Sequence, residues 1–340
     1  MLDSQRLTQL IKITAPIMNG NAFQIKTAQT EACCAQIVTW LQVGIMGGFI
    51  LGPTRHGKTS AVRWALKALK ALLNIPLFVF EIPVRSQKDA RERDFFEYLL
   101  RAVGHRDWKA GTAGNKRDRL NDFLTARARS SPIKTVVLYF DEAQFLKDHH
   151  WEWLLNLSNE SVQRNIKIFF LFSGPPELAE ARERYVSAGL TQLVGRFMSV
   201  VFELNGLTTQ KQLAECLQRF SEVVYPKAQG LGLSSHFVDA AKYPGFSLAS
   251  YAPPMWNLFQ QTRAREAYPQ EDDPSTFVLP MHYVTAAILH FLTGLATNQD
   301  PKVSVEDLLS SAVAACGFSD FTRSTNLDPK RQARAYALPA

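Results

Sequence analysis

The chain has 340 residues, 46% of them hydrophobic, with a formal net charge of +7 and a pI near 9.2. That is enough apolar content to bury a large domain and a smaller one, no apolar run is long enough to span a bilayer, and the basic excess favours a polyanionic partner. The four cysteines, Cys33, Cys34, Cys216 and Cys316, have neither C-x-x-C spacing nor paired histidines nearby, which argues against zinc and disulfides and for the reducing cytoplasm, as do the unsignal-like first residues Asp3, Gln5 and Arg6.

Residues 1–45 read as an N-terminal helical segment. Gly48 to Leu51 is the first strand, and it runs directly into Gly52-Pro53-Thr54-Arg55-His56-Gly57-Lys58-Thr59, a complete G-x-x-x-x-G-K-[ST] loop. Ser60 to Lys70 continues it as an amphipathic helix. Leu77 to Ile82 is the second strand, followed by a helix near Asp89 to Val103 with Phe95, Phe96, Leu99 and Leu100 at helical spacing, a polar insert from Gly104 to Arg119, and a short helix. Thr135 to Phe140 is continuously apolar and β-branched, as a strand buried on both faces should be, and it ends in Asp141-Glu142. Strands at Ile166 to Ser173 and Ser199 to Leu204 complete the pattern. The expected fold is therefore α/β: a P-loop parallel five-stranded sheet flanked by helices over residues 46–206. A helical subdomain follows over 207–323, with helices near Gln210 to Val224, Ser235 to Ala241, Pro254 to Ala267 and Pro280 to Leu295. Residues 324–340 read as a loose basic tail.

The loop residues Gly52 through Thr59, with Ser60, predict a nucleoside triphosphate site, because their glycines let backbone N–H groups converge on phosphate oxygens at a helix N-terminus. In it Lys58 reaches the β- and γ-phosphates and Thr59 ligates Mg²⁺. Asp141, at the carboxyl end of a central strand, holds the Mg²⁺ shell. Glu142 orients or deprotonates an attacking water. ATP and Mg²⁺ are thus the cofactors. Ser173, at the end of the fourth strand, is placed to contact the γ-phosphate or position the water. Such a site gains from a cation supplied by a second subunit, and Arg196, just before the fifth strand, is the candidate, with Arg182 and Arg184 as competitors.

This order of parts resembles the AAA+ ATPases, in which the helical subdomain is the lid. Within them, residues Gly47 to Thr59, Phe140-Asp141-Glu142-Ala143-Gln144 and Ser173-Gly174-Pro175-Pro176-Glu177-Leu178 look most like the TniB and TnsC transposition regulators. The resemblance covers about residues 30 to 205. It implies a protein that assembles with itself into a ring or filament on double-stranded DNA. It also implies a link between a target-selection protein, such as a TniQ-like adaptor, and a transposase, with hydrolysis driving disassembly. The family's second sensor arginine has no clear counterpart; Arg263 and Arg265 are the nearest. Residues after the second strand line the pore in related ATPases, which points to Arg85, Lys88, Lys109, Lys116 and Arg117 as contacts to phosphates, without base reading.

Two other patterns carry less. Asn115-Lys116-Arg117-Asp118 spells the N-K-x-D of GTPases but lies before the Asp141 strand, and Met255-Trp256-Asn257-Leu258-Phe259 has the spacing of core rather than of a base-stacking surface. The rival readings are a signalling or scaffold ATPase that binds no DNA, and a helicase loader or replication initiator.

Overall fold

The structure, a computed structural model, describes residues 4–19, 24–86, 88–225, 230–266 and 277–325. By contact the chain divides into two units, one of residues 29–54 and 58–204, the other of 1–28, 55–57 and 205–340.

The first unit holds a sheet of five parallel strands in the order β2-β3-β4-β1-β5. The strands are β1 (Gly47–Leu51), β2 (Phe78–Pro83), β3 (Thr135–Asp141), β4 (Lys167–Gly174) and β5 (Val201–Glu203). In β1, β3 and β4 alternate side chains enter two separate cores, as the two-residue period of a strand requires. Phe49, Leu138, Phe140, Phe170 and Phe172 enter one, shared with Phe95, Phe96, Leu120, Leu124 and Trp151. Ile50, Val137, Tyr139, Phe169 and Leu171 enter the other, shared with Cys33, Ile37, Trp40, Val62 and Leu66. The helices that supply these residues are α2 (Ala28–Gln42), α3 (Lys58–Leu73), α4 (Glu92–Ala102), α5 (Ala113–Arg129) and α6 (Asp148–Gln163). Between β4 and β5 in the chain come α7 (Leu178–Ser187) and α8 (Thr191–Phe197).

The expected polar insert over 104–119 is half helical, because Thr112 and Asn115 form a capping box that starts α5. Its loop is pinned as well: the Arg119 Nη1 donates to the carbonyls of Asp107 (2.5 Å) and Ala110 (2.9 Å).

The second unit is helical: α1 (Ser4–Met18), α9 (Gln210–Glu222), α10 (Ala252–Glu266), α11 (Met281–Thr297), α12 (Val305–Ala315) and α13 (Phe318–Thr325). The expected N-terminal segment of 1–45 is divided between the units, since Leu10, Ile13 and Ile17 of α1 join the helical core while Cys33, Ile37 and Trp40 of α2 join the sheet. No helix covers 235–241; a 3₁₀ turn at Leu233–His236 takes its place. Met255, Trp256 and Phe259 are buried in the helical core, as their spacing predicts. The expected basic tail lies outside the described residues beyond Thr325.

His150 of α6 is buried between the rings of Phe95 and Trp153. Its Nδ1 accepts the Lys147 N–H at 2.9 Å, its Nε2 is buried without a partner, and burial lowers its pKa to about 4. A chain unfolded at pH 5 binds a proton here that the folded one refuses, so stability should fall as pH drops from about 6.5 towards 4. His150→Phe should flatten that part of the profile, measured as the urea midpoint against pH.

Candidate active site

The sheet's carboxyl edge gathers the polar groups. One residue past β1, the Gly52 N–H donates to the Gly174 carbonyl at the end of β4 (3.2 Å). A Cβ on Gly52 would lie 2.1 Å from the Leu204 carbonyl oxygen, so the turn admits no side chain. Thr54 and Ser60 are exposed. α3 opens at Lys58 with no acidic residue in its first turn, leaving its N-terminal field free for an anion. Lys58 is buried, and its Nζ donates to the Pro53 carbonyl at 2.8 Å. Burial lowers its pKa, while the carboxylates of Glu142, Asp141 and Glu177, Glu142 most of all, push the other way.

Arg55, His56 and Gly57 fall in the helical unit. Arg55 is exposed with a φ of 69°, and its carbonyl accepts the His282 N–H at 3.1 Å. His56 is buried. Gly57 has a φ of 90°, a conformation glycine adopts freely.

Asp141 is held by three hydroxyls. The Thr59 Oγ1 donates to its Oδ2 (2.9 Å), and its Oδ1 accepts from the Ser173 Oγ (2.5 Å) and the Tyr139 hydroxyl (2.9 Å). Tyr139 and Ser173 also touch each other, at 2.9 Å. The strand pleat explains the cluster. Tyr139 and Asp141 are two residues apart and share a face, and the β3–β4 register carries Ser173 alongside Asp141. Burial, with Asp141 alongside, raises the Tyr139 pKa well above its ordinary value, so the phenol keeps its proton.

This corrects the expectation for Ser173. Its side chain is fully buried, and its hydroxyl is engaged by Asp141 and Tyr139 instead of being open to a ligand. Tyr139 has no role in the sequence reading, although its position two before Asp141 on a strand is the signal that places it there.

Glu142 has left-handed backbone angles (φ 59°, ψ 46°) and caps the 3₁₀ turn Ala143–Phe145. Its Oε2 accepts from the Gln144 Nε2 at 2.6 Å.

Arg196 of α8 is at the opposite edge of the sheet. Its guanidinium donates to the Ser158 Oγ (3.3 Å) and Asn159 Oδ1 (3.0 Å) of α6 and approaches the Met46 sulfur (3.0 Å), just ahead of β1. A five-residue strand separates Met46 from the loop at Gly52, roughly 16 Å of chain, so Arg196 does not serve its own subunit's phosphate loop. Of its competitors, Arg182 donates to the Met198 carbonyl (3.0 Å) and Arg184 is exposed on α7.

Among the basic residues assigned to DNA, Arg85, Lys88 and Lys109 are exposed, and the Lys109 ammonium stands 4.8 Å from the Trp108 ring. Lys116 is corrected: its side chain is fully buried, its ammonium pairs with Glu97 and donates to the Trp108 carbonyl (3.3 Å), and it is unavailable to a phosphate. Arg117 is half-buried and paired with Glu92 (3.1 Å) and Glu160 (3.7 Å). In the helical unit, Arg263 covers the Phe277 ring at 5.6 Å and Arg265 donates to the Gln261 carbonyl (3.3 Å).

Residues 46–181 match a protein-family profile described as "AAA domain". The chain carries an AAA+ fold. Among solved structures it is similar to the ORC2 protein of Aeropyrum pernix in its ADPNP-ADP complexes, with 14% identity, a TM-score of 0.58, and 93% of this chain and 73% of that one covered. It is also similar to Drosophila ORC bound to DNA, with 14% identity, a TM-score of 0.47, and 84% and 70% covered. At 14% identity the likeness to the Aeropyrum pernix protein is one of fold. No curated protein matches the sequence. Among the described residues no helix is long and apolar enough to cross a membrane, and no cluster of His, Cys, Asp and Glu forms a metal centre.

Because Tyr139 and Ser173 share one carboxylate oxygen, Tyr139→Phe and Ser173→Ala should each destabilise the fold by about 1–2 kcal/mol. The double variant should depart from additivity by at least about 0.5 kcal/mol, read in a urea double-mutant cycle. Simple additivity would mean that the hydroxyls act independently.

Proposed function

We propose that the chain is an ATP-hydrolysing, self-assembling, cytoplasmic AAA+ protein that holds duplex DNA without regard to sequence and regulates transposition. In that role it connects a target-selection protein to a transposase. The observation that carries the ATPase part is the meeting of Lys58, Thr59, Asp141 and Glu142 at the carboxyl ends of β1 and β3. These residues fit Mg·ATP: the tight Gly52 turn precedes a helix N-terminus without acidic side chains, and Thr59 and Asp141 present two hard oxygens 2.9 Å apart. Mg²⁺ would be held there by the Thr59 hydroxyl and, through water, by Asp141, and would offset charge on the phosphates. Lys58 would exchange the Pro53 carbonyl for phosphate oxygens. Glu142 takes a proton from water as the water oxygen bonds to the γ-phosphorus; the bond from that phosphorus to the β–γ bridging oxygen breaks, giving ADP and inorganic phosphate, and the proton passes to solvent.

Self-assembly rests on Arg196, which stands at the far end of its own sheet with hydroxyl and amide partners and no carboxylate among its hydrogen bonds. From there it can complete a neighbour's site. DNA binding rests on the net charge of +7 and on exposed Arg85, Lys88 and Lys109. The transposition role rests on the Gly47 to Thr59, Phe140 to Gln144 and Ser173 to Leu178 stretches. The likeness to an archaeal ORC2 protein favours replication initiation as the second reading. An initiator should prefer particular duplexes, whereas the proposed regulator should bind random ones alike.

Lys58→Ala should weaken ATP binding by at least about tenfold, whereas Glu142→Gln should bind ATP normally and turn it over about 100-fold more slowly or worse. In ATP, Glu142→Gln should therefore outstay the parent on random duplex DNA after dilution, with log affinity falling about 0.9 per phosphate contact per log unit of salt. Equal release rates would remove hydrolysis as the disassembly step, and no DNA binding in ATP would favour the scaffold reading.

Arg196→Ala should keep nucleotide binding by the single subunit and lose both ATP-dependent assembly and about 1000-fold of the hydrolysis rate. Sedimentation in ATP checks the first and phosphate release the second. Normal behaviour of Arg196→Ala beside a defective Arg184→Ala would transfer the role to Arg184.

A further inference from the structure

Resting on the reading of Glu142 as the base, we infer that Gln144 is a positioning residue that holds the Glu142 carboxylate in its working direction. The Gln144 Nε2 donates to the Glu142 Oε2 at 2.6 Å, the short distance of a hydrogen bond to a charged acceptor. The amide cannot be turned round, because its oxygen would then oppose the carboxylate.

The other end of the amide supports a function over mere packing. The Gln144 Oε1 is buried without a hydrogen-bond partner. Such an atom costs about 1–3 kcal/mol, which a structural spacer would avoid with an apolar side chain. The oxygen is directed at the end of β4, where a Cβ on Gly174 would stand 3.0 Å from it and 2.9 Å from Leu178. Glycine there gives the amide its room. Gln144 therefore presents its donor to the base while its acceptor is enclosed beside the strand end.

Glu142 sits in a left-handed conformation, and the Gln144 amide gives its carboxylate a tether besides its own backbone.

The test compares Gln144→Ala and the isosteric Gln144→Glu with Glu142→Gln in ATP turnover on DNA. Gln144→Glu keeps the shape but replaces the donor by a second carboxylate. Both Gln144 variants should lower kcat by about 10- to 100-fold while KM for ATP stays within about twofold. A packing role predicts that Gln144→Glu behaves as the parent, and a restraining latch predicts a faster enzyme; either result overturns the inference. Should Glu142→Gln turn over ATP at the parental rate, or the parent turn over none, the assignment of the base itself falls, and Gln144 with it. An activity-free readout is the side-chain amide resonance of Gln144 in ¹⁵N-glutamine-labelled protein, assigned by its loss in Gln144→Ala. It should move in Glu142→Gln without nucleotide; an unmoved resonance would rule out the contact.

Discussion

A carboxylate buried at the end of a sheet must be satisfied on both oxygens, and the way Asp141 meets that demand organises the whole site. Its three hydroxyl partners come from three elements: Thr59 from α3, Tyr139 from β3 itself and Ser173 from β4. Ser173 can reach it only if the β3–β4 register is right, and Thr59 only if α3 begins where the P-loop places it. A one-residue slip in β4 would turn Ser173 to the opposite face and replace it by Phe172 or Gly174. The same carboxylate thus checks strand register and helix start. Two donors on Oδ1 leave Oδ2 to the Thr59 side, which gives the carboxylate one fixed orientation before any cation arrives.

Much of this was legible in the sequence because strong patterns fixed it. The P-loop spacing, the apolar β3 and the terminal Asp-Glu place Lys58, Thr59, Asp141 and Glu142 on one edge without knowledge of the packing. The pleat would also have placed Tyr139 beside Asp141, but a tyrosine inside an apolar run gives no sign of where its hydroxyl ends. Lys116 was misread for a related reason. A lysine among Asn115, Arg117 and Asp118 looks solvated, and only the packing of α5 on α4 shows that Glu97 lies under it. The split of residues 1–45 was illegible too, since the apolar spacing in α1 and α2 says that each buries a face but not against which core.

A parallel sheet puts all of its carboxyl ends on one edge, and this constraint underlies the role proposed for Arg196. β1 carries the P-loop at one end and meets the Arg196 guanidinium at the other, through Met46. Rigid strands cannot bring the two together within a subunit, but they hold both at set positions on opposite edges. The proposed assembly would use them in a head-to-tail contact, and such contacts close into rings or extend into filaments according to their rotation. The hydrogen bonds from Arg196 to Ser158 and Asn159 keep its guanidinium oriented without neutralising it.

The left-handed backbone at Glu142 costs about 1–2 kcal/mol for a residue with a Cβ. It is offset locally: the Phe145 N–H donates to the Glu142 carbonyl at 3.2 Å and the Leu146 N–H to the Ala143 carbonyl at 3.0 Å, closing the 3₁₀ turn. An extended backbone at Glu142 would carry the chain straight on from β3 and break that turn. The bend instead reverses the chain within the reach of one side chain, so that Gln144, two residues on, returns to the Glu142 carboxylate. Strain in the backbone therefore sets the direction of the acid that follows Asp141, and the tether at Gln144 is a geometric consequence of the same turn.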